Sequence, residues 1–347
     1  MTNELIGRLA AYTENDWLAA IDEILPCIHE VDKDAVQIWF RFFPLNVSRY
    51  IERSADRDAA LRELALQGDH ELLSRIDTSH HFLYGHRFWP TVKRKIELLA
   101  DEYEGGDQTL VEIIKDIAMR VSEKLNIERQ LVNGISAVGL ATLDQVGIDA
   151  FKAASGDVKE PKWPMTKSPE YIVTERERDD SQGVFGFLRG INKKYSIAYD
   201  NLRVTGKFTV IADEEITSAS AKHETGNFKD SDERCWEGVI PVECHSASCG
   251  SCWIGVLGGK EKLSEVSARE RRAMQVFGYI RSEEPKPFLR LACQARATGN
   301  VSIVIPPWNG VFGKKVLGDV EELELEPATT TAKQLRETVR SASSSKE

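Results

Sequence analysis

Long apolar runs are missing from this chain. No stretch of 18 apolar residues occurs among its 347, so no transmembrane segment is expected. The first residues, Met1-Thr-Asn-Glu-Leu-Ile-Gly-Arg8, lack the basic-then-apolar order of an export signal. A cytoplasmic location is therefore the expectation. Cysteine is scarce, six in all, which does not make a disulfide scaffold. Positive charge is short as well: 45 Lys and Arg face 55 Asp and Glu. Residues 1–190 carry a net −10, residues 191–316 a net +3 and residues 317–347 a net −3. That balance argues against a nucleic-acid partner. There is no Gly-x-Gly-x-x-Gly after a strand, no His-x-x-Glu-His and no Cys-x-x-Cys-His. Those absences remove the usual signatures of dinucleotide binding, of a zinc protease and of covalent haem attachment.

Four of the six cysteines stand in one pattern. Cys244, Cys249 and Cys252 form C-x4-C-x2-C, and Cys293 follows in Arg290-Leu-Ala-Cys293-Gln294. This is the ligand spacing of a plant-type [2Fe–2S] site. Such a site needs four thiolates, two on each iron, soft and anionic enough to hold a ferric–sulfide core. Three of them share a nine-residue loop, residues 244–252. Its other members include Ser246, Ser248, Gly250 and Ser251, small enough for the backbone to approach the sulfurs. Zinc and disulfides are the alternatives. Four-cysteine zinc sites usually come as two close C-x2-C knuckles, and disulfides belong to oxidising compartments.

The flanks add an order of elements. Gly238-Val-Ile-Pro-Val-Glu243 leads into the loop. Residues 253–263 read as a hairpin with a Gly258-Gly259 turn, and residues 263–274 as a helix. Residues 290–306 read as a cysteine-bearing loop followed by a strand. Tyr195–Asp200 and Lys207–Ala212 read as the first two strands, and residues 213–237 as irregular and polar. This order resembles the plant-type ferredoxin family with the β-grasp fold, especially its members with Arg-Leu-Ala-Cys-Gln at the last ligand. The resemblance covers about residues 191–313, roughly a third of the chain. It implies a ferredoxin-like domain over residues 191–316 with one [2Fe–2S] cluster as its cofactor. Cys244, Cys249, Cys252 and Cys293 would bind that cluster and its metal, and no residue would be catalytic. It also implies electron transfer with a redox protein partner, a reductase or an acceptor enzyme. The chain departs from the family at Ala247, where Gly is usual, and in the 40 residues between Cys252 and Cys293. The extra length is assigned to the helix and loop of residues 264–289.

The remainder reads as an all-α domain over residues 1–154, a linker over 155–190 and an acidic, disordered tail over 317–347. The whole is then an α+β chain of two domains. In the helical half, Trp17, Ile21 and Ile24 recur at helical spacing after Thr13 or Asn15 as a cap. Pro90 fits a first helical turn, and Leu110–Leu125 forms a long amphipathic helix. No family is recognised in this half from its residues. It is read as a partner-binding or oligomerising extension, so a homo-oligomer is one expectation. His80, His81 and His86 among aromatics keep a haem or second metal open. A redox sensor is the other alternative. Cys27 and Cys235 read as packing residues. His245 reads as a solvent-facing neighbour of the cluster, and Trp236 and Trp253 as its shields. Residues 183–190, apolar between glycines, read as a docked segment or a partner motif.

Overall fold

The computed structural model describes residues 3–158, 167–177, 193–223, 226–280, 285–318 and 320. The apolar segment 183–190 and nearly all of the acidic tail lie outside them. The chain forms two compact units. One is Met1–Arg53 with Glu71–Glu175, and the other is Ser54–His70 with Arg176–Glu347.

Helices make up the first unit: α1 Glu4–Ala10, α2 Glu14–Ile24, α3 Glu30–Phe42 and α4 Leu45–Arg53, then, after an excursion, α6 Trp89–Glu102, α7 Leu110–Leu125, α8 Gln130–Val146 and α9 Ile148–Ala153. Local signals set their ends. Thr13 and Asp16 close a capping box on α2, and Thr109 and Glu112 another on α7. Pro90 sits in the first turn of α6, where its missing N–H costs nothing. Helix α8 is sheathed by its neighbours and buries residues 132–143 throughout. Trp17, Trp39 and Trp89 are fully buried, and the last two donate their indole N–H to Ser79 and Asp77. Asp32 is buried in the first turn of α3. It is 1% exposed, and its carboxylate accepts the backbone N–H groups of Tyr84 and Gly85 at 2.6 and 2.8 Å.

Two expectations change here. The linker contains a helix, α10 Pro169–Glu177, whose Ile172 packs with Val31 and Tyr84 of the helical unit. Residues 54–70 do not belong to the helical unit. They form α5 Arg57–Glu63 and a two-residue strand, β1 Gln67–Gly68, in the second unit.

The second unit is built on a five-stranded mixed sheet in the order β3-β2-β8-β5-β6. Its strands are β2 Lys194–Asp200, β3 Thr205–Ile211, β5 Trp253–Gly258, β6 Leu289–Leu291 and β8 Val301–Val304. β2 and β3 form an antiparallel hairpin, and β8 lies parallel to β2. β5 pairs antiparallel with both β8 and β6. Two short pairs flank the sheet, β4 Glu214–Glu215 with β7 Arg296–Ala297 and β1 with β9 Trp308–Asn309. Helices α11 Ile216–His223 and α12 Ala268–Phe277 complete the unit.

Residues 213–237 are thus not wholly irregular: α11 buries Ile216 and Ala219. The expected Gly-Gly hairpin is also absent. Gly259 does take a left-handed φ of 82°, but it leads into a short 3-10 turn, Lys260–Lys262, and β5 finds its partners far along the chain.

Replacing Asp32 with Ala would strand two buried N–H groups. The expected loss is about 3 kcal/mol of stability in the helical unit, measured by denaturation followed through tryptophan fluorescence. A change near zero would show that the carboxylate does not hold the Tyr84–Gly85 turn.

Candidate metal centre

The cysteine loop turns inward on itself, and its backbone shows the strain of doing so. His245 and Ala247 have φ of 52° and 58°, and Gly250 has 75°. Left-handed backbone costs an L-residue roughly 1–2 kcal/mol, so two such residues in three positions require compensation. The turns aim N–H groups at sulfur. Ser246 and Ser248 both donate their backbone N–H to Cys244 Sγ, at 3.4 and 3.3 Å. Ser251 Oγ lies 3.2 Å from Cys249 Sγ. Gly250 is required on two counts: its φ, and a Phe277 ring that an added Cβ would meet at 3.0 Å.

Cys293 comes from the neighbouring edge strand, at the same end of the sheet as Cys252. It follows β6, whose Leu291 pairs with Trp253, the residue after Cys252. A backbone bond from Ala292 N–H to Cys252 carbonyl, 2.9 Å, ties the two cysteine segments directly. The first turn of α11 presses on the same place, Ile216 N–H donating to Ala295 carbonyl. Beneath them lies a buried ion pair. Arg290 and Glu270, each 1% exposed, meet through two bonds of 2.8 and 2.9 Å, and Glu270 also accepts the N–H of Leu291. Helix α12 thereby holds β6, and β6 holds Cys293.

The four thiols influence one another's ionisation in two pairs, Cys244 with Cys249 and Cys252 with Cys293. The bond from the Cys249 thiol, with the N–H groups of Ser246 and Ser248, brings Cys244 down to about 5. The same bond pushes Cys249 up. In the second pair the Cys252 thiol pulls Cys293 down, aided by Gln294 and the Ala247 N–H, and Cys252 rises. The first pair is half-buried, while Cys252 and Cys293 are 2% and 0% exposed. Among the described residues, no group of three or more His, Cys, Asp and Glu side chains is arranged to hold a single metal ion.

Other sequence candidates separate from this centre. Cys235 is buried, with its thiol 3.2 Å from Val239 carbonyl, and Cys27 is exposed on the helical unit. His245 is half-buried rather than turned to solvent: its Nε2 lies 3.0 Å from Glu237, which raises its pKa. Trp253 is wholly buried and stacks on Tyr279 at 4.1 Å. Trp236 lies under the Lys229 ammonium at 3.9 Å. Glu270 and Tyr279 were not singled out by sequence. A glutamate in an Arg-rich helix and a tyrosine after Gly278 have no local mark of burial. Compared with family models, curated proteins and solved structures, the chain matches none.

In the helical unit, His80 and His86 are buried with their Nδ1 atoms 2.9 Å apart, so one ring donates and the other accepts. Trp89 packs on His80 at 4.2 Å. Burial, then the neighbouring His86 and His81, holds His80 well below 6.5. Burial and His81 bring His86 to about 4 against the opposing pull of Asp77. Both rings are neutral in the folded unit at pH 7. Between pH 6.5 and about 4 the unfolded chain binds more protons than the folded one. The contribution of this pair is therefore full above pH 6.5 and lost as pH falls toward 4. Denaturation midpoints at pH 7 and pH 5 should show the drop, and His86→Gln should flatten it. An unchanged slope in that variant would place the pH response elsewhere.

Proposed function

We propose that the second unit binds one [2Fe–2S] cluster through Cys244, Cys249, Cys252 and Cys293 and that the protein transfers electrons. The four-cysteine spacing and the two backbone N–H groups donated to Cys244 Sγ carry this reading. A two-iron cluster asks for two thiolates per iron, and Cys244 with Cys249 and Cys252 with Cys293 supply two pairs. The N–H groups aimed at Cys244 and the left-handed turns that aim them are what a sulfur-rich anion needs around it. When bound, such a cluster supplies reversible one-electron chemistry and no open coordination position for a substrate. The half-buried pair, Cys244 and Cys249, forms the edge at which a redox protein partner would dock. The buried pair anchors the cluster to β5 and β6.

The strand order supports a β-grasp reading: a hairpin, β2 and β3, then a helix, then a later strand running parallel beside the first. The helical unit we assign as an extension that binds the partner or a second copy of the chain, in keeping with its excess of negative charge. A cytoplasmic setting would keep the thiols reduced for cluster assembly.

Protein purified without oxygen should contain iron and acid-labile sulfide at close to two each per chain. Cys293→Ser should lose most of both, since it removes the ligand that comes from outside the loop. Cys27→Ser should keep them. Stoichiometric zinc with no sulfide would refute the proposal.

A further inference from the structure

Tyr279 follows α12 and is 1% exposed. Its ring stacks on Trp253 at 4.1 Å and 15°, and packs against Phe277, Trp308 and Phe312. Its hydroxyl joins two remote backbones. It lies 3.1 Å from the carbonyl of Gly250, inside the cysteine loop between Cys249 and Cys252. It also lies 2.8 Å from the carbonyl of Gly310 and accepts the Gly310 N–H at 2.9 Å. One hydroxyl proton serves two carbonyls while a lone pair takes an N–H. In a fully buried place no water can substitute for it.

Gly310 is itself gripped from the far end of the sequence. The next residue, Val311, donates its N–H to Leu64 carbonyl at 2.7 Å. Gln67 and Gly68 pair with Asn309 and Trp308, and Asp69 N–H donates to Pro307 carbonyl at 2.9 Å. The fit leaves no slack: a Cβ on Gly310 would meet Leu66 Cδ2 at 2.8 Å and Leu64 carbonyl at 3.0 Å. Trp308 carbonyl in turn accepts the indole N–H of Trp253, at 2.9 Å. Leu64, wholly buried, is thus three hydrogen-bonded steps from the cysteine loop, through Val311, Gly310 and Tyr279, although 180 residues separate it from Cys244.

We infer that Tyr279 is a positioning residue for the cluster loop, and that through Gly310 it makes the Ser54–His70 segment part of the apparatus that retains the cluster. The inference rests on the cluster assignment above. After Ser248 the loop is held by the Cys249 Sγ–Ser251 Oγ contact at 3.2 Å, and the Tyr279 hydroxyl ties Gly250 to the body of the unit. Removing it leaves the Gly250 carbonyl and the Gly310 N–H without that partner. Loosening Leu64 has the same consequence from the other side.

The test uses the intact chain with its cluster and compares wild type with Tyr279→Phe, Leu64→Ala and, as a control in the helical unit, Leu9→Ala. The first readout is the rate at which iron is lost to excess EDTA without oxygen, below the unfolding transition of each variant. The second is the electron paramagnetic resonance spectrum of the reduced protein. Tyr279→Phe and Leu64→Ala should each lose iron roughly tenfold faster than wild type, and Tyr279→Phe should alter the spectrum, which a purely structural role would leave unchanged. Leu9→Ala should lower the stability of the helical unit and lose iron at the wild-type rate. Iron loss at the wild-type rate in Tyr279→Phe, or equal acceleration in Leu9→Ala, would overturn the inference. Wild-type loss in Leu64→Ala would remove the N-terminal segment from it. Should Tyr279→Phe fail to fold, Leu64→Ala against Leu9→Ala decides alone. Wild-type protein without sulfide would instead defeat the cluster assignment itself, a result read before any variant is made.

Discussion

Aiming backbone N–H groups at sulfur forces the cysteine loop into left-handed conformations at His245, Ala247 and Gly250, and the rest of the second unit is arranged to hold it there. An isolated nine-residue loop with that backbone would relax, because each left-handed L-residue costs more than one neutral hydrogen bond returns. The compensation comes from contacts outside the loop. Trp253 anchors its exit in the sheet by pairing with Leu291 and by donating to Trp308. Phe277 packs under Gly250, and Tyr279 binds the Gly250 carbonyl. The Arg290–Glu270 pair fixes the strand that presents Cys293.

That arrangement makes the second unit discontinuous in sequence. Its sheet is drawn from residues 194–304, yet the strand that closes over Trp308 comes from Gln67 and Gly68. A long-range pairing of this kind carries a loop-closure cost in folding, since most of the helical unit lies in the intervening chain. The return is a lid of backbone hydrogen bonds on the segment that supports the loop. The buried Arg290–Glu270 pair has a similar character. Desolvating two charges is expensive, and what such a pair contributes is a single geometry rather than net stability.

What could be read from sequence follows the range of the interaction responsible. The helical half was legible where signals are local: the Thr13 cap, Pro90 in a first turn, and the apolar rhythm of Leu110–Leu125. The four cysteines stand out in the sequence because their spacing is that of a two-iron ligand set. Local signals also misled. Gly258-Gly259 resembles a hairpin turn, but β5 is satisfied on both edges by β6 and β8, so the glycine serves a 3-10 turn instead. Helix α11 has too few apolar residues to announce itself, and its Ile216 and Ala219 are buried by the Cys293 turn rather than by a regular stripe. The placement of residues 54–70, the burial of Glu270 and the bridging role of Tyr279 depend on partners between 20 and more than 200 residues away. No pattern within a helix or strand encodes such partners.

The account depends on the two thiol pairs each serving a separate iron. The most direct measurement is a crystal structure of the protein purified without oxygen, with anomalous scattering collected at the iron edge. The account predicts two neighbouring iron positions, one between Cys244 and Cys249 and one between Cys252 and Cys293, with sulfide bridging them. A single metal position shared by all four sulfurs, or a disulfide within either pair, would contradict it.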